Sequence, residues 1–366
     1  MNIFLSFLRS LLLAVACGSL APGMAVAQPA GAQGDDFLYR TVAGDTLLGL
    51  AGRFTAVPGN WTVLQQINGV ADPLRLPIGK TMRIPFALIP VEPAPARVSH
   101  IYGQVQVNGS ALSVGQTLEE GALLGTEMQG FATLGLADGS MIIVPGDSKV
   151  RVLRMRAFKG TGLIDAIVSI EEGTIESVVA PEGKGVGRFE IRTPITVTGV
   201  RGTRLRVHSR DDVSRTELLE GTAHLGTSQN HQAQLKMGEG AVTDADGKLV
   251  GVRALMGTPQ LEKPERGPQG WTVSFPPVPG AAGYIVRVAQ DAEGTRFYSR
   301  ERFSGPPVTF QAPGVGTYYV RVAAFDEREL MGADGMQPFE GQPVLLSSDG
   351  GFVATAYGLQ VQLMHD

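Results

Sequence analysis

Along most of the chain, apolar and polar residues alternate with a period of two. That spacing puts successive side chains on opposite faces of a strand. It predicts strands over residues 101–107, 131–136, 141–144, 150–155 and 167–170. Further strands are predicted around 189–197, 205–207, 218–225, 271–275, 284–289 and 317–323. Asp138-Gly139, between two such runs, is a hairpin-type turn signal. Residues 37–85 depart from this period. Leu47, Leu50, Ala51 and Phe54 recur at helical spacing, with Asp45 or Thr46 placed to cap the helix. Asn60 heads a second short helix carrying Trp61, Leu64 and Ile67, and strands at 39–42 and 82–84 flank the pair. The expected fold class is mainly β and multidomain, with one small βααβ module at the front.

One stretch carries a conflict of period. Residues 193–207 read T-P-I-T-V-T-G-V-R-G-T-R-L-R-V. Ile195 and Val197 share a face, and so do Leu205 and Val207. An unbroken strand would place Gly199, Arg201 and Thr203 on that same inward face, and a buried, unpaired arginine is costly. Either Gly199–Gly202 bends and resets the register, or Arg201 meets a carboxylate, with Glu220 and Glu172 as candidates. A related phrase recurs at 118–121 (L-E-E-G), 170–174 (I-E-E-G-T) and 219–222 (L-E-G-T). The copies lie about fifty residues apart, which points to stacked β units.

Composition narrows the class. The chain has 366 residues, 48 glycines, 23 prolines, one cysteine and a net charge of −4. The length allows roughly two to three domains, and the charge gives no basic field for nucleic acid. Residues 1–27 read as a secretory signal, with Arg9, an apolar run from Leu11 and an Ala25-Val26-Ala27 cleavage site. Cleavage there removes Cys17, whereas a lipoprotein signal would retain it as the anchor. After residue 30 no run of about twenty apolar residues suggests a spanning helix. Residues 86–98 read as a Pro/Ala linker holding the first module away from the rest. Residues 99–255 read as all-β, 259–345 as a small sandwich and 346–366 as a tail without decisive pattern.

Candidate chemistry is sparse. Processing at Ala27 leaves no cysteine nucleophile or thiolate ligand. His100, His208, His224, His231 and His365 show no metal-ligand spacing, and no G-x-S-x-G or S-x-x-K motif occurs. Glu171 and Glu172 read as an exposed turn. No catalytic residue, metal or cofactor is expected. Arg188, Arg192, Arg201, Arg204, Arg206, Arg210 and Arg215 crowd one segment. They read as a solvated strand edge, with a basic patch for an anionic partner as the rival.

Three resemblances extend this reading. R-F-E-I-R-T-P-I-T-V-T-G-V-R-G-T-R-L-R-V resembles the signature of the FecR domain, here with Leu205 where the family usually has an aromatic. It implies a domain of coiled, solenoid-like strands, with Thr193, Pro194, Gly199, Arg201, Gly202 and Thr203 as signature residues in a structural or interaction role. The family's namesakes are membrane-spanning regulators that link an outer-membrane receptor to a cytoplasmic sigma factor. Residues 37–85 resemble the LysM module through Tyr39, Val42, Gly44-Asp45-Thr46-Leu47, Ala51, Leu64, Asn68, Pro73, Gly79 and Ile84-Pro85. That resemblance implies a groove for peptidoglycan or another N-acetylglucosamine-containing glycan, lined by Gly44, Asp45, Thr46, Leu47, Leu76, Pro77 and Ile78. W-T-V-S-F-P-P-V-P-G-A-A-G-Y-I-V-R-V with G-T-Y-Y-V-R-V-A-A-F-D resembles fibronectin type III-like domains, with Trp271 and Tyr284 expected in its core.

The leading expectation is a non-catalytic, exported envelope protein. It would bind glycan through its first module and present the β domains to an envelope protein. The alternative is the periplasmic component of a FecR-type signalling system. A wall hydrolase is the third and least favoured class.

Overall fold

The structure, a computed structural model, describes residues 29–179, 186–267 and 270–341 together with Val353. The expected signal segment at 1–27, with Cys17, lies outside the described residues. So does the tail at 346–366, apart from Val353.

The first unit has strands β1 (Pro29–Gln33), β2 (Asp36–Arg40) and β3 (Thr81–Pro85) in the antiparallel order β1-β2-β3. Helices α1 (Leu47–Phe54) and α2 (Trp61–Ile67) lie between β2 and β3. α1 forms where the helical spacing predicts it. Leu47, Leu50, Ala51 and Phe54 are its buried stripe, and the Thr46 hydroxyl accepts from Gly49 N at 3.0 Å. Asn60 makes no side-chain cap for α2. Instead Asn68, at the other end, donates Nδ2 to the Leu64 and Arg83 carbonyls and accepts from Arg83 N at 2.7 Å. That amide stitches α2 to β3.

Residues 86–98 differ from the expected spacer. Phe86 stacks on Phe158 with centroids 4.3 Å apart, and Ile89 is buried. β4 (Val91–Pro93) pairs with β12 (Ser148–Phe158), and β5 (Ala96–Tyr102) enters the main sheet. Phe158 and Leu163 join the hydrophobic cluster of the first unit. The reason is apolar area. Burying a side chain such as Ile89 is worth about 1.5–3 kcal/mol, which an extended spacer would forgo.

The central unit contains sixteen paired strands among the described residues. After β5 come the short strands β6 (Val105–Val107), β7 (Ser110–Ala111), β8 (Thr117–Leu118) and β9 (Leu123–Thr126). β10 (Phe131–Gly135) and β11 (Met141–Val144) form the hairpin predicted at Asp138-Gly139. Three long strands then dominate: β13 (Leu163–Val178), β15 (Thr196–Arg210) and β16 (Val213–Thr227). β14 (Val186–Arg192), β17 (Gln232–Lys236), β18 (Glu239–Thr243) and β19 (Leu249–Ala254) complete the unit.

Each long strand serves two sheets. The first part of β13 pairs with β12 and β14, and its end pairs with β11 and β15. The first part of β15 pairs with β14 and with the end of β16, and its second part with β13 and the start of β16. β16 likewise pairs with β18 at its start and β17 at its end. A near sheet, toward the first unit, and a far sheet therefore enclose one core.

The changeover sits at glycines. Gly173, Gly202 and Gly221 have φ of 96°, 57° and 82°, a left-handed conformation that glycine adopts without steric cost. A Cβ on Gly221 would come within 2.6 Å of the Gly202 carbonyl oxygen. Core positions switch parity at each bend. On β13 they run Ile164, Ala166, Val168 and Ile170, then Ile175. The recurring E-G phrase marks these bends in β13 and β16.

The third unit has a sheet of β20 (Glu265–Gly267), β21 (Gly270–Val273) and β24 (Val308–Phe310). A second sheet has the order β23-β22-β25-β26, from β22 (Gly283–Ala289), β23 (Phe297–Phe303), β25 (Gly316–Phe325) and β26 (Gly335–Gly341). One apolar cluster joins the two sheets, with Val273, Phe310, Val286 and Val320 fully buried; Tyr284 belongs to it and Trp271 packs against it.

Candidate functional sites

The two loops of the first unit that carry the implied site residues are gathered around Thr41. Its hydroxyl donates to the Pro77 carbonyl at 2.5 Å and accepts from Lys80 N at 2.9 Å, and its carbonyl accepts from Gly79 N. These bonds draw the loop after β2 against the loop before β3. Gly44, with φ of 90°, makes the turn. Asp45 accepts from Tyr39 Oη at 2.8 Å and Val42 N at 2.7 Å, so its carboxylate staples that turn. Burial first, and then Asp45, pushes the Tyr39 phenol above its ordinary pKa. Thr46 is occupied in capping α1.

The implied groove residues separate into two groups. Ile78 is 72% exposed, Pro77 is exposed and Leu76 is half-buried. Leu47 is 1% exposed and belongs to the core, because the helical stripe of α1 turns it inward. It offers no surface to a ligand. Leu48, its neighbour, is 58% exposed and was not singled out by the sequence.

The stretch 193–207 forms a turn and a bent strand. Thr193 Oγ1 accepts from Thr196 N at 2.9 Å and shares a hydrogen bond of 2.6 Å with Ser214 Oγ. It thereby fixes the turn into β15 and ties it to β16, while Pro194 stays exposed. Thr196, Thr198 and Val200 face inward, with Val197 41% exposed and Ile195 half-buried. This reverses the predicted parity of the first half. Thr198 meets the Thr216 hydroxyl at 3.4 Å across the core, from the near sheet to the far sheet, so its buried hydroxyl keeps a partner. Beyond the bulge, Thr203, Leu205 and Val207 face inward. The Arg201 backbone pairs with Thr222; its side chain, and so its expected carboxylate partner, lies outside the described residues. Gly199 needs neither unusual backbone nor close packing, since an added Cβ meets nothing within 4 Å. It faces a cleft of about 930 Å³ between the first unit and the near sheet, with Phe86, Ile89 and Phe158 on one wall and Arg188 and His224 on the other.

The arginine-rich segment is not a solvated edge throughout. Arg188 is held by both oxygens of Asp165 at 2.7 Å, and Arg192 pairs with Glu190. Arg204 and Arg206 lie on the outer face of the far sheet, which the third unit covers. Arg206 is 1% exposed. It reaches Glu176 at 3.3 Å, Glu217 at 3.4 Å, Asp334 at 3.2 Å and the Gly332 carbonyl at 2.9 Å. From the third unit, Arg287 bonds Glu176 and both oxygens of Asp334 at 2.6 Å, and Arg321 bonds Asp334 at 3.1 Å.

A buried ion junction therefore joins the two units. Around it, Phe131 and Ile143 pack on Ala289 and Phe297, and His100 Nε2 meets the Phe297 carbonyl at 3.0 Å. Burial opposes the charge on Asp334, but Arg287, Arg206 and Arg321 overcome it and lower its pKa to about 2. Burial likewise opposes charge on Glu176, and Arg287, Arg206 and Arg204 hold it well below the usual carboxylate range.

Glu176, Glu217, Arg287 and Asp334 were missed by the sequence reading. A signal for Arg287 was present: Ile285, Arg287 and Ala289 share one face by the period of two, as do Arg321, Ala323 and Phe325. A cation flanked by apolar neighbours on one strand face marks a covered face. Among the described residues, no group of three His, Cys, Asp or Glu is placed to hold a metal ion. Nor is any helix there long and apolar enough to cross a membrane.

Residues 122–224 match the family model described as FecR protein, and this part of the chain is a FecR domain. It spans the strands from β9 into β16, including all three glycine bends. No curated protein matches the chain. Two crystal structures of a candidate anti-sigma factor from Parabacteroides distasonis ATCC 8503 are similar, each at 14% identity, with TM-scores of 0.30 and 0.29. Each alignment covers 36% of this chain and 59% of the other, so the chain spans about three-fifths of their length. Likeness at that level carries no argument about fold or activity.

Proposed function

We propose that the chain is a non-catalytic, periplasmic component of a FecR-type signalling system that acts with a membrane-spanning protein of the envelope. The FecR domain at residues 122–224 carries this reading. The ion junction supports it further. It fixes the FecR domain and the third unit, which we read as fibronectin type III-like, into one body with a defined outer surface. A fixed surface suits recognition of a protein partner, because little ordering is required on binding. Proximity labelling from the chain in its native cells tests the reading. Enrichment of an integral membrane protein is expected; labelling of soluble proteins alone would overturn it.

A second reading concerns the first unit, which we read as a LysM-type grip on peptidoglycan or a related N-acetylglucosamine glycan. The observation favouring it is the pair of loops gathered by Thr41, with Ile78 72% exposed beside Pro77. Exposed apolar surface at such a groove suits the methyl of an acetamido group, while backbone amides suit its carbonyl and hydroxyls. The two readings are compatible, with the glycan grip positioning the signalling body. Retention on purified peptidoglycan, lost when residues 37–85 are deleted, is the expected result. Equal retention of both forms would remove the glycan role.

A further inference from the structure

The ion junction encloses a small cavity of about 10 Å³ whose lining includes Glu176, Arg206, His208, Arg287, Phe297 and Arg300. That volume suits one particle the size of a water molecule or little more. It excludes phosphate, sulfate and carboxylates.

Two features of the lining point to an anion. Arg287 is 95% buried, yet its Nε finds no hydrogen-bond partner in the protein, although its two terminal nitrogens are engaged. A buried donor of a charged group left without a partner is expensive. The charges are also unbalanced. In the junction around the cavity, Arg204, Arg206, Arg287 and Arg321 share Glu176, Glu217 and Asp334, and Arg300 in the lining adds a fifth arginine against the three carboxylates. Arg300 has no carboxylate partner among the described residues. Its side chain is exposed to solvent; partial desolvation by the surrounding protein, followed by the charges of Arg287 and Arg206, lowers its pKa to about 10.

We propose that this cavity binds a single halide ion, chloride under physiological conditions, held between the Arg287 Nε donor and the Arg300 guanidinium. The ion offsets part of the arginine excess and satisfies the orphaned donor. It thereby tightens the docking of the third unit on the FecR domain. Arg300 is the one exposed arginine of the five, and the proposed ion would enter beside it.

The test compares the purified full chain in chloride and in gluconate at equal ionic strength, and crystals soaked in bromide. Wild type is expected to melt about 2–4 °C higher in saturating chloride. Bromide should give an anomalous peak in the cavity, and Arg300→Gln should abolish the chloride-dependent shift. Any of three results would overturn the proposal: equal melting in the two salts, the same chloride shift in wild type and Arg300→Gln, or cavity density without an anomalous signal at high bromide. The bromide measurement decides the matter even if Arg300→Gln lowers stability in both salts.

Discussion

Asp334 is the sharpest point at which to test the ion junction. Its carboxylate accepts four hydrogen bonds, two short ones from Arg287 Nη2 and longer ones from Arg321 Nε and Arg206 Nη2. Asp334→Asn keeps the shape and removes the charge. Three guanidiniums then remain buried with only Glu176 and Glu217 to balance them. Breaking a buried pair by removing one partner costs about 3–5 kcal/mol, since the remaining charge stays desolvated. The chain has two tryptophans, Trp61 in the first unit and Trp271 in the third. In a Trp61→Phe background, Trp271 fluorescence in a urea titration reports unfolding of the third unit.

The expected result at pH 7 is a loss of about 3–5 kcal/mol, with Trp271 reporting a transition separated from that of the central unit. The pH dependence adds a second check. Asp334 titrates near 3.8 when free and about 2 when folded. A depressed carboxylate contributes stability that is present above the unfolded value and is lost as pH falls through the folded value. The gap between wild type and Asp334→Asn should therefore be full at pH 7 and narrow progressively, by about 2 kcal/mol, from about pH 4 toward about 2. A loss under about 1 kcal/mol at pH 7, or a gap that does not narrow in acid, would refute the reasoning.

Other outcomes follow from the same geometry. Gly221→Ala forces a left-handed residue and brings a Cβ to 2.6 Å from the Gly202 carbonyl; a loss of about 2 kcal/mol or more is expected by thermal denaturation. Thr46→Ala removes the α1 cap and should cost the first unit about 1 kcal/mol, seen as faster amide exchange in α1. Ile78→Ser should weaken retention on peptidoglycan several-fold while leaving the melting temperature unchanged, because Ile78 is already 72% exposed.

Much of this architecture could be read from local pattern, because the relevant energetics are local. The stripe at Leu47, Leu50, Ala51 and Phe54 forms the helix it predicts, and Asp138-Gly139 makes its hairpin. The conflict of period at residues 193–207 marks a register reset, which the structure resolves as a bulge with Gly202 at positive φ. The inward parity of Thr196 and Thr198 was hidden, since it depends on the hydroxyl of Thr193, itself bonded to Ser214, and on that of Thr216 in the facing sheet. The docking of residues 86–98 was masked by their prolines, although Phe86 and Ile89 were apolar enough to signal an anchor.

The junction was the least legible part. Arg206 and Asp334 are 128 residues apart, and no spacing rule connects them. Half of the information lay in β22, where Arg287 stands between Ile285 and Ala289. The two loops gathered by Thr41 were legible, but not the inward place of Leu47, which its position in the helical stripe already fixed.

The most direct measurement of the proposed signalling role is photo-crosslinking in native cells from reporters placed at exposed positions on the FecR domain and the third unit. The expected result is a discrete adduct with one membrane-spanning protein, weakened when Asp334→Asn loosens the body that presents the surface. The contradicting result is full-length protein, correctly exported and present at normal levels, that yields no membrane-protein adduct from any of these positions.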